Sequence, residues 1–481
     1  MVSSPNYRYA ELANSIENQI RHGAFRVGEK LPSIRSLHLQ TGLSISTVYQ
    51  AFIELEKRGM VEPRQKSGYY VKPLIRGLLP PPQPPAITHK PKKVKINNLA
   101  FALIESIRDP DILQLGGALI DATLAPPKEI VSIIKTAPIK LLKTNLACYE
   151  HYLGHFELRR QISKRMAAFC GSVTANAIVI TNGCLEAVAL SLKSITKSGD
   201  TILVESPTFP WFLQIIEDLN LNALEIPTDP QEGIDLAALE KATRLHNVKA
   251  CIFIANFHNP LGFLMTNDKK KALVNFLNKH KIPIIEDDIY GELYFGPTRP
   301  QPLKAFDHEG LVLYCASFSK SIAPGFRTGW VQPGKFFEHV IRYKMNQNIC
   351  GPGLTQWALA RYLQSGHYDR HLRKLRTQLK NQISNTALAI ARYFPKNTKI
   401  SAPQGGLTLW VQLDPNIDSL QLFHRALEKK IAILPGIICA NNNNYKNCLR
   451  ISCGMPYTEK IDIGLQTLAA IIRNMAPRSS Q

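Results

Sequence analysis

The spacing of apolar positions divides the chain into three stretches of different rhythm. In the first, Leu12, Ile16 and Ile20 recur at helical spacing, and Gly23 follows as a stop. Leu31-Pro32-Ser33 predicts a second helix with Ser33 as its N-cap and Leu37 facing inward, ended by the turn at Thr41-Gly42. A third helix starts at Ser44 or Ser46, buries Val48, Phe52 and Leu55, and stops at Arg58-Gly59. Two short β-prone runs follow, at 60–62 and 69–71, around the polar, basic stretch 63–68. Three helices and a hairpin make a winged helix, whose third helix enters a DNA major groove while the basic hairpin tip lies on the backbone or in the minor groove.

The second stretch, 73–98, has no period. Its prolines at 80–82, 84 and 85 exclude a helix and a central strand, so an extended, semi-rigid spacer is expected. Lys90, Lys92, Lys93 and Lys95 either follow a phosphate backbone or simply keep the spacer solvated. From Phe101 onward, short continuous apolar runs at 177–180, 201–204, 251–254, 282–285 and 311–314 alternate with helical patterns. That alternation predicts an α/β body with a mostly parallel sheet covered on both faces, and ligands in such sheets bind beyond the carboxyl ends of the strands.

Size and composition narrow the class. A chain of 481 residues with 45% hydrophobic content suits about three units and a large core. The formal charge of +21 and pI near 9.5 point to an anionic partner. Residues 1–76 hold 11 Lys/Arg against 6 Asp/Glu, net +5, enough for a modest phosphate footprint. Nine scattered cysteines without a C-x-x-C pair suit a reducing cytoplasm and give neither a disulfide framework nor a metal site. No apolar run reaches the ~18 residues of a membrane span.

The candidate chemistry falls at the expected strand ends. The run 311–315 leads into Ser317, Ser319 and Lys320, and Arg327 follows a Pro-Gly turn. A lysine can form a Schiff base with a carbonyl, and hydroxyls with a guanidinium can hold a phosphate. Gly183-Cys184 opens a helix after the first strand, offering free N–H groups to an anion. Phe209 can stack on a flat ring, Asn259 can bond a phenolic oxygen, and Asp287 with Tyr290 ends a buried strand where a carboxylate can pair with a protonated ring nitrogen.

The segments 28–35, 44–48 and 66–71 resemble the winged-helix DNA-binding domain of GntR regulators. The resemblance implies that Arg35 contacts DNA, that Ser44, Ser46 and Thr47 open the recognition helix, and that Lys66 and Gly68 bring the wing onto the backbone. The family often has an arginine where Ile45 stands, so a weakened or redirected specificity is expected.

Residues 105–475 resemble the fold-type I pyridoxal-phosphate enzymes, the aspartate aminotransferase superfamily, on the order and spacing of Asn259, Asp287, Tyr290, Lys320 and Arg327. The resemblance implies a large domain with a small C-terminal α+β subdomain, and pyridoxal 5'-phosphate attached to Lys320. Asp287 would pair with the pyridine nitrogen, Tyr290 and Asn259 with the ring hydroxyl oxygen. Phe209 would stack on the ring, where the family usually has tyrosine. Ser317, Ser319, Arg327 and the Gly183-Cys184 backbone would hold the phosphate. Arg450 would grip a substrate carboxylate, and Tyr149 would reach the phosphate of a partner subunit. Phe257-His258 and Leu261 depart from the commoner residues on the substrate side.

Together the two parts resemble the MocR subfamily: a GntR-type head over 1–73, a Pro/Lys linker over 74–104 and an aminotransferase-like body over 105–475. This implies a bacterial cytoplasmic transcription regulator, a homodimer on paired half-sites of double-stranded DNA, with a small amine, an amino acid or the cofactor itself as effector. No residue needed for chemistry is visibly lost, so an active aminotransferase with an accessory DNA-binding head stays open beside the regulator. So does a DNA-binding protein whose body is only a dimerisation scaffold.

Overall fold

The computed structural model describes residues 8–64, 67–72, 78–85, 90–94, 105 and 109–475. The head is built from α1 (Arg8–Arg21), α2 (Ile34–Thr41) and α3 (Ile45–Lys57), followed by the antiparallel hairpin of β1 (Val61–Arg64) and β2 (Gly68–Val71). Ser33 Oγ accepts the Ser36 N–H and Ser44 Oγ accepts the Thr47 N–H, each at 3.1 Å, so Ser44 is the residue that opens the third helix. Leu12, Ile16, Ile20, Val48, Phe52, Leu55, Val61 and Val71 close one core, where Phe52 stacks on Tyr69 at 4.4 Å.

The body's strands are β3 (Lys92–Lys93), β4 (Leu113–Gln114), β5 (Val179–Thr181), β6 (Thr201–Ser206), β7 (Asn222–Asp229), β8 (Gly233–Ile234), β9 (Val248–Phe253), β10 (Ile284–Asp287), β11 (Val312–Ser317) and β12 (Gly329–Gln332). Across the main sheet they run β3-β7-β6-β9-β10-β11-β12-β5, with β8 beside β7. The interior strands from β7 to β11 are parallel, while β12 runs antiparallel to both β11 and β5. The five apolar runs picked out in the sequence fall on β5, β6, β9, β10 and β11. β7 escaped because Glu225 and Pro227 interrupt it, and β12 because only Trp330 and Val331 are apolar, between Gly329 and Gln332. A smaller sheet of β13 (Lys399–Ile400), β14 (Thr408–Gln412), β16 (Leu434–Pro435) and β17 (Cys448–Ser452) carries the helices Ser419–Glu428 and Glu459–Met475, while β15 (Ile431–Ala432) pairs with β4.

The described part of the proline-rich stretch is extended and anchored to the body. The Pro80 carbonyl accepts the Ile400 N–H at 3.0 Å, and the Gln83 N–H donates to Gln412 Oε1 at 2.9 Å. β3 adds to the sheet edge opposite Ala223 and Asn222, and Val94 is buried in the body's core. Prolines lack the donor a central strand needs, so an edge position is what remains to them.

Two helices matter most for placing the site: α4 (Cys184–Ile195), which starts at the carboxyl end of β5, and α5 (His367–Tyr393), 27 residues long. α5 packs Tyr368, Leu372, Leu375, Leu379 and Ile383 into the body. Beyond them Leu388 joins the head's core, and Asn385 Oδ1 accepts the Val27 N–H at 2.8 Å. One helix therefore belongs to both parts. Leu388→Ala opens a void under the head and is expected to cost roughly 2–4 kcal/mol of docking. Calorimetry should then show the head melting ahead of the body; an unchanged single transition would speak against this attachment.

Candidate functional site

A cavity of about 260 Å³ opens where β10 and β11 end and α4 begins, closed from above by segment 117–119 and by Leu434 and Arg450 of the smaller sheet. Parallel pairing brings the strand ends level, with Asp287 opposite Cys315. Asp287 is therefore delivered to the cavity floor, and Lys320 enters from the turn that follows β11.

Lys320 is half-buried, and its Nζ donates to the Ala118 carbonyl at 2.6 Å. Burial pushes its pKa down to about 8; neighbouring Arg450 adds to this and Asp287 opposes it. Burial pushes Asp287 up to about 6, against the Cys184 S–H (3.2 Å) and the Ile289 N–H (3.0 Å), both donated to its Oδ1. Tyr290 is buried and its hydroxyl pKa is raised by burial. Asn259 Nδ2 donates to the Tyr290 hydroxyl at 3.3 Å, while Asn259 Oδ1 accepts from Arg450 Nη1 at 2.7 Å. Arg450 sits mid-strand on β17, opposite Trp410 and Leu434; its Nη2 donates to the Gly116 carbonyl, and its buried Nε has no partner among the described residues. Tyr290, Asn259, Arg450 and Gly116 thus form one connected polar wall.

The opposite end is shaped for an anion. Gly183 caps α4 with φ 98°, a left-handed backbone, and an added Cβ would lie 2.4 Å from Arg327 Nη2. Gly329 supports the same corner, since a Cβ there would come within 2.6 Å of the Gly183 backbone. Arg327, itself left-handed at φ 47°, donates from Nη2 to the Asn182 carbonyl at 2.8 Å. Ser319, Arg327, Cys184 and Leu185 line the cavity here, below the unpaired N–H groups of the first turn of α4.

Not every expected residue faces this space. Ser317 Oγ accepts the Ser319 N–H at 3.3 Å and lies off the cavity wall. Tyr149 is 83% exposed, away from the cavity of its own chain. Phe209 does line it, stacked at 5.7 Å on Trp211. His258 is fully buried against Glu205 (3.2 Å) and stacks on Phe263, and Leu261 is also buried, so neither departure from the usual pattern touches the ligand space. The Gly116 and Ala118 carbonyls and the Trp211 ring went unread in the sequence. Main-chain acceptors leave no residue-type signal, although the Gly116-Gly117 pair after a β-like run marks a close backbone approach.

On the head, Arg35 is exposed on α2. The Ser44 hydroxyl bonds those of Ser46 and Thr47, each at 2.8 Å, at the start of α3. Gly68 takes φ 108° where the turn of the wing enters β2, opposite Arg64, and Lys66 lies outside the described residues.

A lysine kept reactive by burial, a buried carboxylate, an amide–phenol–guanidinium wall and a glycine-started anion cradle suit a phosphate-bearing aromatic aldehyde. Under a mostly parallel sheet they define the body as a fold-type I pyridoxal-phosphate domain, and the head as a winged helix-turn-helix. Comparisons agree. The aminotransferase class I and II family matches residues 119–468, and the bacterial regulatory proteins of the gntR family match residues 8–71. The chain is 37% identical to an uncharacterized HTH-type transcriptional regulator of Escherichia coli K12, YdcR, over 97% of this chain and 99% of that one. Its body is similar to a kynurenine aminotransferase of Pyrococcus horikoshii solved with PMP (TM-score 0.73, 28% identity, 80% of this chain and 96% of that one). It is also similar to LysN, an α-aminoadipate aminotransferase of Thermus thermophilus solved with N-(5'-phosphopyridoxyl)-L-leucine (TM-score 0.73, 25% identity, 80% and 96%).

The chain belongs to the family of HTH-type transcription regulators that fuse a GntR head to a class I/II aminotransferase body, the MocR architecture. Its cofactor is pyridoxal phosphate, and it is a DNA-binding, pyridoxal-phosphate-dependent regulator. Among the described residues no helix is long and apolar enough to cross a membrane.

Because the folded pKa of Asp287 lies above its unfolded value, its ionisation adds almost no cost below about pH 4, opposes folding increasingly between about pH 4 and 6, and does so fully above that. In the cofactor-free protein, Asp287→Asn is therefore expected to raise stability by on the order of 2–4 kcal/mol at pH 8 and by almost nothing near pH 4. Denaturant melts at the two pH values check it; a pH-independent difference would contradict the burial argument.

Proposed function

We propose that the protein is a homodimeric sensor in which an amino compound, entering the cavity beside Lys320, changes how two heads engage paired DNA half-sites. The observation that carries this reading is the convergence of Lys320, Asp287, Tyr290, Asn259 and Arg450 on one small cavity in a body whose longest helix also forms part of the head's core. We take the units to be 1–73, 74–104 and 105–475, and the cytoplasm as their location.

Bound pyridoxal phosphate supplies an electron sink and an exchangeable carbonyl. The chain's own residues bind and orient. Lys320, with a pKa near 8, spends a useful fraction of its time as a neutral amine, the form that attacks a carbonyl. Asp287 holds a proton on the ring nitrogen, and the Cys184 and Ile289 donors fix its orientation. Tyr290 and Asn259 bond the ring oxygen. Ser319, Arg327 and the first turn of α4 take the phosphate, with Ser317 positioning Ser319 through its N–H. Phe209 covers the ring face. Arg450, already desolvated and short of one partner at Nε among the described residues, takes the carboxylate of an amino-acid effector, so binding can exchange its Gly116 and Asn259 contacts for that anion. The exposed apolar residues Val131, Ile139, Tyr149, Tyr152 and Phe156 follow one another on neighbouring segments, which supports a second copy covering them and Tyr149 reaching that copy's site.

The test is spectroscopic and runs in parallel with DNA binding. Purified protein should show a visible cofactor band that Lys320→Ala abolishes. Titration with a panel of amino acids and amines should find one that shifts the band reversibly and changes DNA affinity by about 5–150-fold, the range of ordinary allosteric coupling. A band that converts to the aminated cofactor and returns with a 2-oxo acid would instead establish turnover, and no band even with added cofactor would sink the sensor.

A further inference from the structure

The outward face of α3 is not the polar, cationic face expected of a helix lying among phosphates. Val48, Ala51, Phe52 and Leu55 are buried and occupy its inward stripe. One helical turn apart at its N-terminal end, Ile45 is 52% and Tyr49 49% exposed. Gln50 is exposed on the stripe beside them. The Ser44, Ser46 and Thr47 hydroxyls are already engaged with one another and with the cap. No Lys or Arg stands anywhere between Ile45 and Glu56. The side chains offered to a groove by this first turn and a half are thus an aliphatic branch, an aromatic ring and a primary amide.

A base-pair edge in the major groove presents one apolar feature, the 5-methyl group of thymine, while a primary amide matches the paired acceptor and donor of adenine. We infer that Ile45 and Tyr49 read thymine methyls and Gln50 the adenine edge, so that the half-site places A·T pairs under the N-terminal turn of α3. Charge is supplied elsewhere: the head's net +5 and exposed Arg35 serve the phosphates, which position the protein without reading sequence. The inference rests on α3 being the helix that enters the major groove.

The experiment begins with full-length protein loaded with pyridoxal phosphate and a random-sequence duplex pool. Enriched duplexes should share thymines at fixed positions. Replacing each of these thymines by deoxyuridine removes only the methyl group, and binding should weaken about fourfold for every methyl in contact. An Ile45→Ala/Tyr49→Ala variant should be indifferent to the same replacements. Ile45→Arg should move the preference at one position from thymine to guanine. Both side chains are exposed, so circular dichroism and the cofactor band should be unchanged. An enriched half-site that wild-type protein binds equally well with uracil, or variants that keep full sensitivity to the methyl, would overturn thymine reading and leave DNA binding intact. A pool with no enriched duplex would overturn both.

Discussion

Burying an amine, a carboxylate and a guanidinium in one small cavity is the constraint around which the body is arranged. Each ion alone would be expelled or neutralised in an apolar interior. Here Asp287 and Lys320 moderate one another, while Arg450 deepens the depression of Lys320. What remains uncompensated, a pKa near 8 on the amine and near 6 on the acid, is the condition for exchanging protons and covalent partners near neutral pH. The surroundings hold this arrangement in place. Parallel pairing of β10 with β11 sets the strand ends level, and the small sheet lowers Arg450 onto the cavity from the other side.

A second buried charge system runs just beneath. Asp288, adjacent to Asp287, accepts from Asn256, Tyr314 and Arg299. Arg299 also pairs with Glu292, which in turn meets Arg165 and Arg376. Alternation along the chain therefore splits neighbouring carboxylates between two duties: Asp287 faces the ligand space, and Asp288 ties the strand to the helices behind it. A strand end fastened in this way has little freedom to rearrange, whereas the segments above it, around Gly116 to Leu119 and the small sheet, meet the cavity through fewer charged contacts.

Much of this was legible in the sequence because its signals were local. Helix caps, glycine stops, hydrophobic periods and the strand-end clusters around Asp287 and Lys320 each occupy a few residues, and they fixed the head and the inner strands. What escaped was made by chain distant in sequence. Lys320 finds the carbonyl of Ala118, and Arg450 those of Gly116 and Asn259, through backbone and amide groups that every protein has. In sequence, Phe257-His258 stood only as a departure on the substrate side; tertiary packing places His258 behind the cavity wall beside Glu205. The proline-rich stretch is extended in its described part, but composition could not show that its Gln83 and its lysine pair would dock along the body.

The shared helix α5 sets a rotational phase between the two halves of the molecule. Its inward residues up to Ile383 lock its azimuth against the body, and Asn385 and Leu388 then present the head's seat at a fixed angle. At 3.6 residues per turn, a single inserted or deleted residue between these two sets would swing the seat by about 100° around the helix axis. Such a length change would leave every residue of the cavity in place and still aim the DNA-reading head elsewhere. The length of α5 thus sets where the head faces, although none of its residues lines the cavity.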